Sequence, residues 1–366
     1  MIFLIFGAFL YKSGAGDWFM SVAQAFTGTT PGGPAQIAVL SSCLFGSISG
    51  SEVANVYGTG TFTIPLMMKI GYEPYFAGAV EAVASSGGQI MPPIMGAGAF
   101  LMASFLGIQY REVMIAAIFP ALLYYGALFL MVRLRALKTG LKGLNPEDLP
   151  TKHDVLSKFY MIAPIVGLIA FLLIGYTPMR AALLGIGLAW LVSFFNFKPE
   201  TTQNQKTLAC IVALISLGLG IFITLKPEIF AGIKPGMQFV IIGAYMLIAS
   251  CFNPGMNTRE FIDAIEQGAQ GIPLVCVACA TAGIVLGAVS LTGIGGKLVG
   301  FVISFAGDMP FVALVLVMLI ATLLGMGLPT TGAYILAAAL GAPILVKLGF
   351  PPIAAHMFVF YYAIIS

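Results

Sequence analysis

Charge is scarce in this chain. Only 8% of its 366 residues are Asp, Glu, Lys or Arg, against roughly 25% in a soluble globular domain. With 59% hydrophobic residues and a mean hydropathy of +1.01, this excludes an ordinary water-soluble fold and leaves a polytopic membrane protein. The formal net charge of +3 is too small to imply nucleic acid as a partner. Potential metal ligands are few, with two histidines and five cysteines. Cys276 and Cys279 form a CxxC that has neither a second pair nor a nearby histidine, so they read as small buried apolar residues. Gly293 to Lys297 (GIGGK) lacks the spacing and the following Ser or Thr of a phosphate-binding loop. No nucleophile–base arrangement is present, which argues against an ATPase or a hydrolase, and no cofactor is expected. A cleavable signal peptide is not evident. MIFLIFGAFLY at the start is shorter than the roughly 20 residues of a full span, and reads as the tail of a helix whose beginning lies elsewhere.

Glycine and proline, by contrast, are abundant, at 44 and 21, and three clusters of them interrupt apolar sequence. Leu44 to Tyr57 (LFGSISGSEVANVY) packs Gly46, Ser47, Ser49, Gly50, Ser51, Glu52 and Asn55 together. A helix in hydrocarbon satisfies its own backbone, and an unpaired polar group there costs several kcal/mol. A re-entrant hairpin or a helix broken near Gly50 is therefore predicted, as at the ion and substrate sites of secondary transporters. Ser85 to Pro93 (SSGGQIMPP) and Gly325 to Thr331 (GMGLPTT) are a second and a third break.

Ordinary spans are predicted between these breaks. Val113 to Val132 is one, and Phe159 to Phe252 holds four more; Ile272 to Leu291, and Ile335 to Leu348 after the third break, are further apolar segments. Gly16 to Gly28 and Asn257 to Gly271 read as amphipathic interfacial helices. Arg133, Arg135, Lys138, Lys142, Lys152 and Lys158 crowd the connection between spans, which places it in the cytoplasm.

The chain also resembles itself. With Gly46 laid on Gly325, Ala54 meets Ala333, and after a one-residue slip Pro65, Gly71, Tyr72, Pro74 and Ala77 meet Pro343, Gly349, Phe350, Pro352 and Ala355. The expected organisation is a first repeat over 1–132, with a hairpin at 44–57 and a crossing segment at 85–93. A basic cytoplasmic connection follows over 133–158, then connecting or scaffold helices over 159–253. A second repeat occupies 254–366, with its hairpin tip at 325–331. The counterpart of Ser85–Pro93 falls near Ala363 and beyond Ser366, so this reading expects a fragment whose second repeat is truncated. Whether the repeats are parallel or inverted is open at this point.

GSISGSEVANVY at 46–57, GYEPYFAGAVEAVASSGGQIMPPIMGAGAF at 71–100, GMGLPTTGAYI at 325–335 and AAHMFVFYYA at 354–363 resemble one family. It is the large, DctM-like membrane subunit of tripartite ATP-independent periplasmic (TRAP) transporters. The likeness is nearest to fused permeases paired with TAXI-type binding proteins. The resemblance implies an all-α polytopic membrane protein of two inverted repeats, with re-entrant hairpins and broken helices, working as an elevator in the bacterial inner membrane. It implies sodium-coupled import of a dicarboxylate-like organic acid. The implied partners are a periplasmic substrate-binding protein and a small membrane subunit, possibly fused in the full-length parent. The chain departs from the family in lacking a recognisable small-subunit region and a final TPP-like segment.

Sodium takes several hard oxygen ligands, which unwound carbonyls and small polar side chains supply. The side-chain candidates are Ser47, Ser49, Ser51, Asn55, Thr330 and Thr331, with sodium assigned to Ser47, Ser49, Asn55, Thr330 and Thr331. Gly50, Gly87, Gly88, Gly325 and Gly327 free the backbone, and Gln89 and Pro329 share the same segments. An organic anion would sit at half-helix N-termini. The other reading is that these small residues only let helices approach. Glu52, Glu81 and His356 are intramembrane ionisable groups and so candidates for a role. Glu81 could carry a proton, orient the site or pair with Lys69. Two alternatives remain: a hairpin-type anion/cation symporter without a binding protein, and an intramembrane enzyme using Glu81 and His356 as acid and base.

Overall fold

The computed structural model describes residues 2–197, 201–225, 235–306, 309–326 and 328–365. Every regular element among them is helical, as lipid requires of a chain that does not close a barrel. In order these are α1 (Ile2–Leu10), α2 (Gly16–Thr27), α3 (Gly33–Ser49), α4 (Glu52–Lys69), α5 (Pro74–Gly87), α6 (Ala97–Leu106), α7 (Tyr110–Thr139), α8 (Lys152–Ser157) and α9 (Ala163–Ile174). They continue as α10 (Pro178–Ser193), α11 (Gln203–Leu225), α12 (Pro235–Ala249), α13 (Thr258–Thr292), α14 (Ile294–Ala306), α15 (Pro310–Gly325), α16 (Thr330–Leu340), α17 (Ala342–Lys347) and α18 (Pro352–Ile365). The chain is an all-α polytopic membrane protein. Among the described residues two stretches are long and apolar enough to cross a membrane unaided, Tyr110–Thr139 and Thr330–Lys347.

Two compact units are present. One comprises Met1–Trp18 and Lys152–Gln270. Its core sets the Phe6 ring of α1 on Gly185 of α10, where a Cβ would lie 2.6 Å from the ring. Phe9 meets Phe261 edge-on at 5.0 Å. The indole Nε1 of Trp190 donates to Ser250 Oγ at 2.8 Å, and Asn253 Nδ2 donates to Ser193 Oγ at 2.7 Å.

The other unit comprises Phe19–Thr151 and Gly271–Ser366 and holds all three predicted breaks. α3 and α4 form a hairpin with α5 packed on both arms. α15, α16 and α18 pack on one another around buried Ala313, Val317, Ala321, Ala333, Ala337 and Val359. The outer side of α7 carries Phe119 at 70% and Leu122 at 61% exposure, apolar area that suits a hydrocarbon surround.

Three boundaries differ from the sequence reading. α7 runs on to Thr139, so Arg133, Arg135 and Lys138 lie on its last turns instead of in a loop. Cations are favoured there by the helix dipole, and Arg135 is held by Glu73 at 3.5 Å and by the Phe76 ring at 5.4 Å. The amphipathic stretch and the span predicted after it are one helix, α13, which absorbs Pro273; a proline removes a single helical hydrogen bond, which a long helix can survive. Gly341 and Pro343 divide the apolar segment 335–348 between α16 and α17. In the CxxC, Cys276 is exposed, not buried, and the Cys279 side chain lies outside the described residues.

The self-similar segments share local geometry. Gly71 and Gly349 have φ of +104° and +90°. Tyr72 N–H donates to Met67 O at 3.2 Å, and Phe350 N–H to Leu345 O at 3.1 Å. The helices that follow, α5 from Pro74 and α18 from Pro352, are each 14 residues long.

Candidate functional site

The first break is a tight reversal at Gly50. Its φ of +59° closes α3, with its N–H on Gly46 O at 3.3 Å. A left-handed residue at a helix end favours glycine. Ser51 then opens α4 as N-cap, its Oγ accepting from Ala54 N–H at 3.3 Å. Ser47 donates to Leu44 O at 2.7 Å, and Ser49 Oγ donates to Ser51 O at 3.3 Å.

The third break meets the first. α15 ends at Gly325, Leu328 N–H turns back onto Gly325 O at 3.1 Å, and Pro329 precedes the first residue of α16, Thr330. Gly327 lies outside the described residues. Thr330 Oγ1 donates to Glu52 Oε2 at 2.9 Å. Glu52 is the first residue of α4 and half-buried, while Thr330 and Thr331 are buried. Two half-helix N-termini thus adjoin one carboxylate, and their positive ends favour an anion at that place.

The second break threads between α3 and α7. α5 stops at Gly87, and residues 88–96 run in turns until α6 begins. Gly46 and Gly88 are in backbone contact, since a Cβ on Gly46 would lie 2.6 Å from Gly88 Cα. Ile94 N–H donates to Ser47 O at 3.1 Å, tying this segment to the hairpin. Gln89 is buried, and its carbonyl accepts from Gly96 N–H at 2.7 Å. From α7, Tyr124 and Tyr125 donate to Val83 O and Ala84 O, both at 2.8 Å, tying α7 to the end of the broken helix. Tyr110 Oη supports Pro93 O at 3.0 Å and also Ile94 O.

Asn55 sits at the junction of the first two breaks. Fully buried, it donates through Nδ2 to Ser42 O at 2.9 Å and to Ser85 O at 3.4 Å. Its Oδ1 is buried and accepts nothing. Such an atom carries a desolvation cost of about 1–3 kcal/mol unless a donor or cation meets it.

One turn along, Glu81 of α5 is fully buried among hydroxyls. Ser42 donates to Oε1 at 2.9 Å and Ser85 at 3.3 Å. Thr59 also reaches Oε1, and Thr63 reaches Oε2. These partners replace the Lys69 pairing raised from sequence. Ser42, Thr59 and Thr63 were not singled out there, although Asn55, Thr59 and Thr63 recur every four residues as a polar stripe on one face of α4. His356 instead pairs with Tyr334 Oη at 2.9 Å. It shares no partner with Glu81, so the acid–base pair of the enzyme reading is not assembled.

The structure therefore brings together Ser47, Gly50, Ser51, Glu52, Asn55, Gly88 and Thr330, with Gly87, Gln89, Gly325, Pro329 and Thr331 on the segments that join them. It does not bring His356 into the Glu81 cluster.

Comparison with known proteins places the chain in a family. The model of the family described as "Tripartite ATP-independent periplasmic transporter, DctM component" matches residues 1–214 and 198–366. An isethionate TRAP transporter permease protein, DctMQ of Oleidesulfovibrio alaskensis, is 28% identical over 59% of this chain and 35% of its own length. C4-dicarboxylate TRAP transporter large permease proteins are 25% identical over 55% of the chain in Rhodobacter capsulatus, and 24% identical over 68% of it in Pseudomonas aeruginosa. The match spans 49% and 63% of those two proteins.

Proposed function

The chain belongs to the DctM component family of tripartite ATP-independent periplasmic transporters, and from that membership we propose that it is the large permease of a sodium-coupled importer of organic acids. It is a transporter permease and not an enzyme. On this proposal it lies in the bacterial inner membrane and takes substrate from a periplasmic binding protein. A small membrane subunit, fused or separate, completes the assembly. Relatives named for isethionate and for C4-dicarboxylates support an organic anion as the substrate class.

The observation that carries the coupling is the unpartnered Asn55 Oδ1, beside a backbone loosened at Gly50 and Gly88. A hard carbonyl-type oxygen in dry surroundings suits a sodium cargo. Ser47 and Ser49 extend the donor set on the first hairpin, and Thr330 and Thr331 supply one on the second. The substrate carboxylate would lie near the N-termini of α4 and α16. The repeated geometry at Gly71 and Gly349 supports a pair of repeats; on this proposal they are inverted and move as an elevator against the remaining helices.

The test is uptake of organic acids by the full-length protein, reconstituted with its binding protein, with and without an inward sodium gradient. Uptake that depends on both the gradient and the binding protein is expected. Uptake indifferent to sodium removes the coupling, and uptake without the binding protein favours an autonomous symporter.

A further inference from the structure

The cluster around Glu81 contains more hydrogen-bond acceptors than its hydroxyl hydrogens can satisfy at once. Thr59 Oγ1 is within reach of both Asn55 O, at 2.8 Å, and Glu81 Oε1. Thr63 Oγ1 is within reach of both Thr59 O, at 3.0 Å, and Glu81 Oε2. Ser42 Oγ faces both Thr59 Oγ1, at 3.0 Å, and Glu81 Oε1. Each hydroxyl has one hydrogen and two acceptor lone pairs. With Glu81 ionised, the hydroxyls turn toward the carboxylate. With Glu81 protonated, its own O–H donates to Thr63 or Thr59, and that hydroxyl turns back to the helix carbonyl four residues before it. Both states leave the buried groups satisfied, with rotation of hydroxyls as the main rearrangement.

A metal ion fits this pocket poorly. The carboxylate and hydroxyl oxygens here are hydrogen-bonded to one another, and none is among the buried atoms left without a partner. No group of three or more His, Cys, Asp or Glu side chains surrounds it among the described residues. No Lys or Arg pairs with it there either; Lys69 and Glu52 lie at the two ends of α4. The other titratable groups on the elements packed against α5 are Cys43 of α3, Tyr57 of α4, His356, Tyr361 and Tyr362 of α18, and, on α7, Tyr110, Arg111 and Glu112 at its start, Tyr124 and Tyr125 at its middle and Arg133, Arg135 and Lys138 at its end. Tyr124 and Tyr125 are engaged with α5 carbonyls, Tyr110 with Pro93 O, Arg135 with Glu73, His356 with Tyr334, and Tyr361 with the rings of Tyr124 and Tyr362.

We propose that Glu81 is a proton-binding site, taking one proton reversibly from water and releasing it through hydroxyl rotation in the Ser42–Thr59–Thr63–Ser85 cage. This goes beyond sodium coupling and does not depend on it. Ser42 and Ser85 also present the carbonyls that hold the Asn55 amide, so the protonation state is passed to the hairpin tip through the same two residues.

The test is infrared difference spectroscopy of the purified full-length protein in detergent, stepped between alkaline and acid pH. A carbonyl stretch from a buried protonated carboxyl is expected to appear on acidification. It is expected to vanish in Glu81→Gln and persist in Glu147→Gln, which alters an exposed loop acid. Thr63→Val keeps the shape and removes one hydroxyl, and it is expected to shift the frequency of the band even where Glu81→Gln does not fold. Absence of the band at every pH, its survival in Glu81→Gln, or an unshifted frequency in Thr63→Val overturns the proposal. No outcome depends on transport, so a failure here is separate from a failure of sodium coupling.

Discussion

Thr330 and Glu52 stand 278 residues apart in the chain and 2.9 Å apart in space. Each is the first residue of the helix leaving its hairpin tip. Their hydrogen bond joins the two tips. Its energetic signature is non-additivity: Thr330→Val and Glu52→Gln together should destabilise the full-length protein less than the sum of the two alone. The coupling is expected at about 1 kcal/mol, since Glu52 keeps partial contact with the surroundings. Thermal unfolding in detergent, run as a double-mutant cycle, measures it.

Gly46 and Gly78 make a matched pair of tests. A Cβ on Gly46 meets Gly88 Cα at 2.6 Å and Asn55 Nδ2 at 2.7 Å, whereas one on Gly78 meets nothing within 4 Å. Gly46→Ala should therefore destabilise by about 1–3 kcal/mol through overpacking. Gly78→Ala, at a half-buried position of α5 with room for the methyl, should be neutral or slightly stabilising. Comparing the two melting temperatures separates backbone contact at the site from glycine content in general.

The places where the helices break were legible in the sequence, because glycine, serine and proline in apolar surroundings have few other uses. Gly50 turns where LFGSISGSEV predicted, and α5 and α15 stop at Gly87 and Gly325. The partners of Glu81 were not legible. Its cage draws Ser42 from α3 and Thr59 and Thr63 from α4, and only the packing of α5 against both arms decides which hydroxyls reach the carboxylate. Threonines at helical spacing also bond their own backbone four residues back, a local use that hides a tertiary one. The continuity of α13 through Pro273 escaped for a similar reason: proline marks a lost hydrogen bond, while neighbouring packing decides whether the helix ends there.

Ser51→Ala removes the side-chain acceptor of Ala54 N–H at the start of α4. A lost N-cap costs about 1 kcal/mol, and the effect should fall on the first turn of α4. Amide hydrogen exchange at Val53 and Ala54 is expected to quicken, while exchange in the middle of α4 stays unchanged.

Asn55→Ala removes both the unpartnered Oδ1 and the bonds to Ser42 O and Ser85 O. If Oδ1 is a sodium ligand, the sodium concentration for half-maximal uptake should rise on the order of tenfold, about 1.4 kcal/mol of lost binding. Sodium-titrated uptake in proteoliposomes gives the shift directly. Thr139→Ala, at the exposed end of α7, should leave the titration where it was.

Two broken hairpins meet at one site, and cross-linking tests that most directly. Glu52→Cys and Thr330→Cys are introduced together into a cysteine-free full-length protein in native membranes, then treated with mercuric ion or a mild oxidant. Convergence of the tips predicts rapid intramolecular cross-linking, with Glu147→Cys paired to Thr330→Cys as the negative control. Failure of the 52–330 pair to cross-link, in protein that still folds, would contradict the site described here.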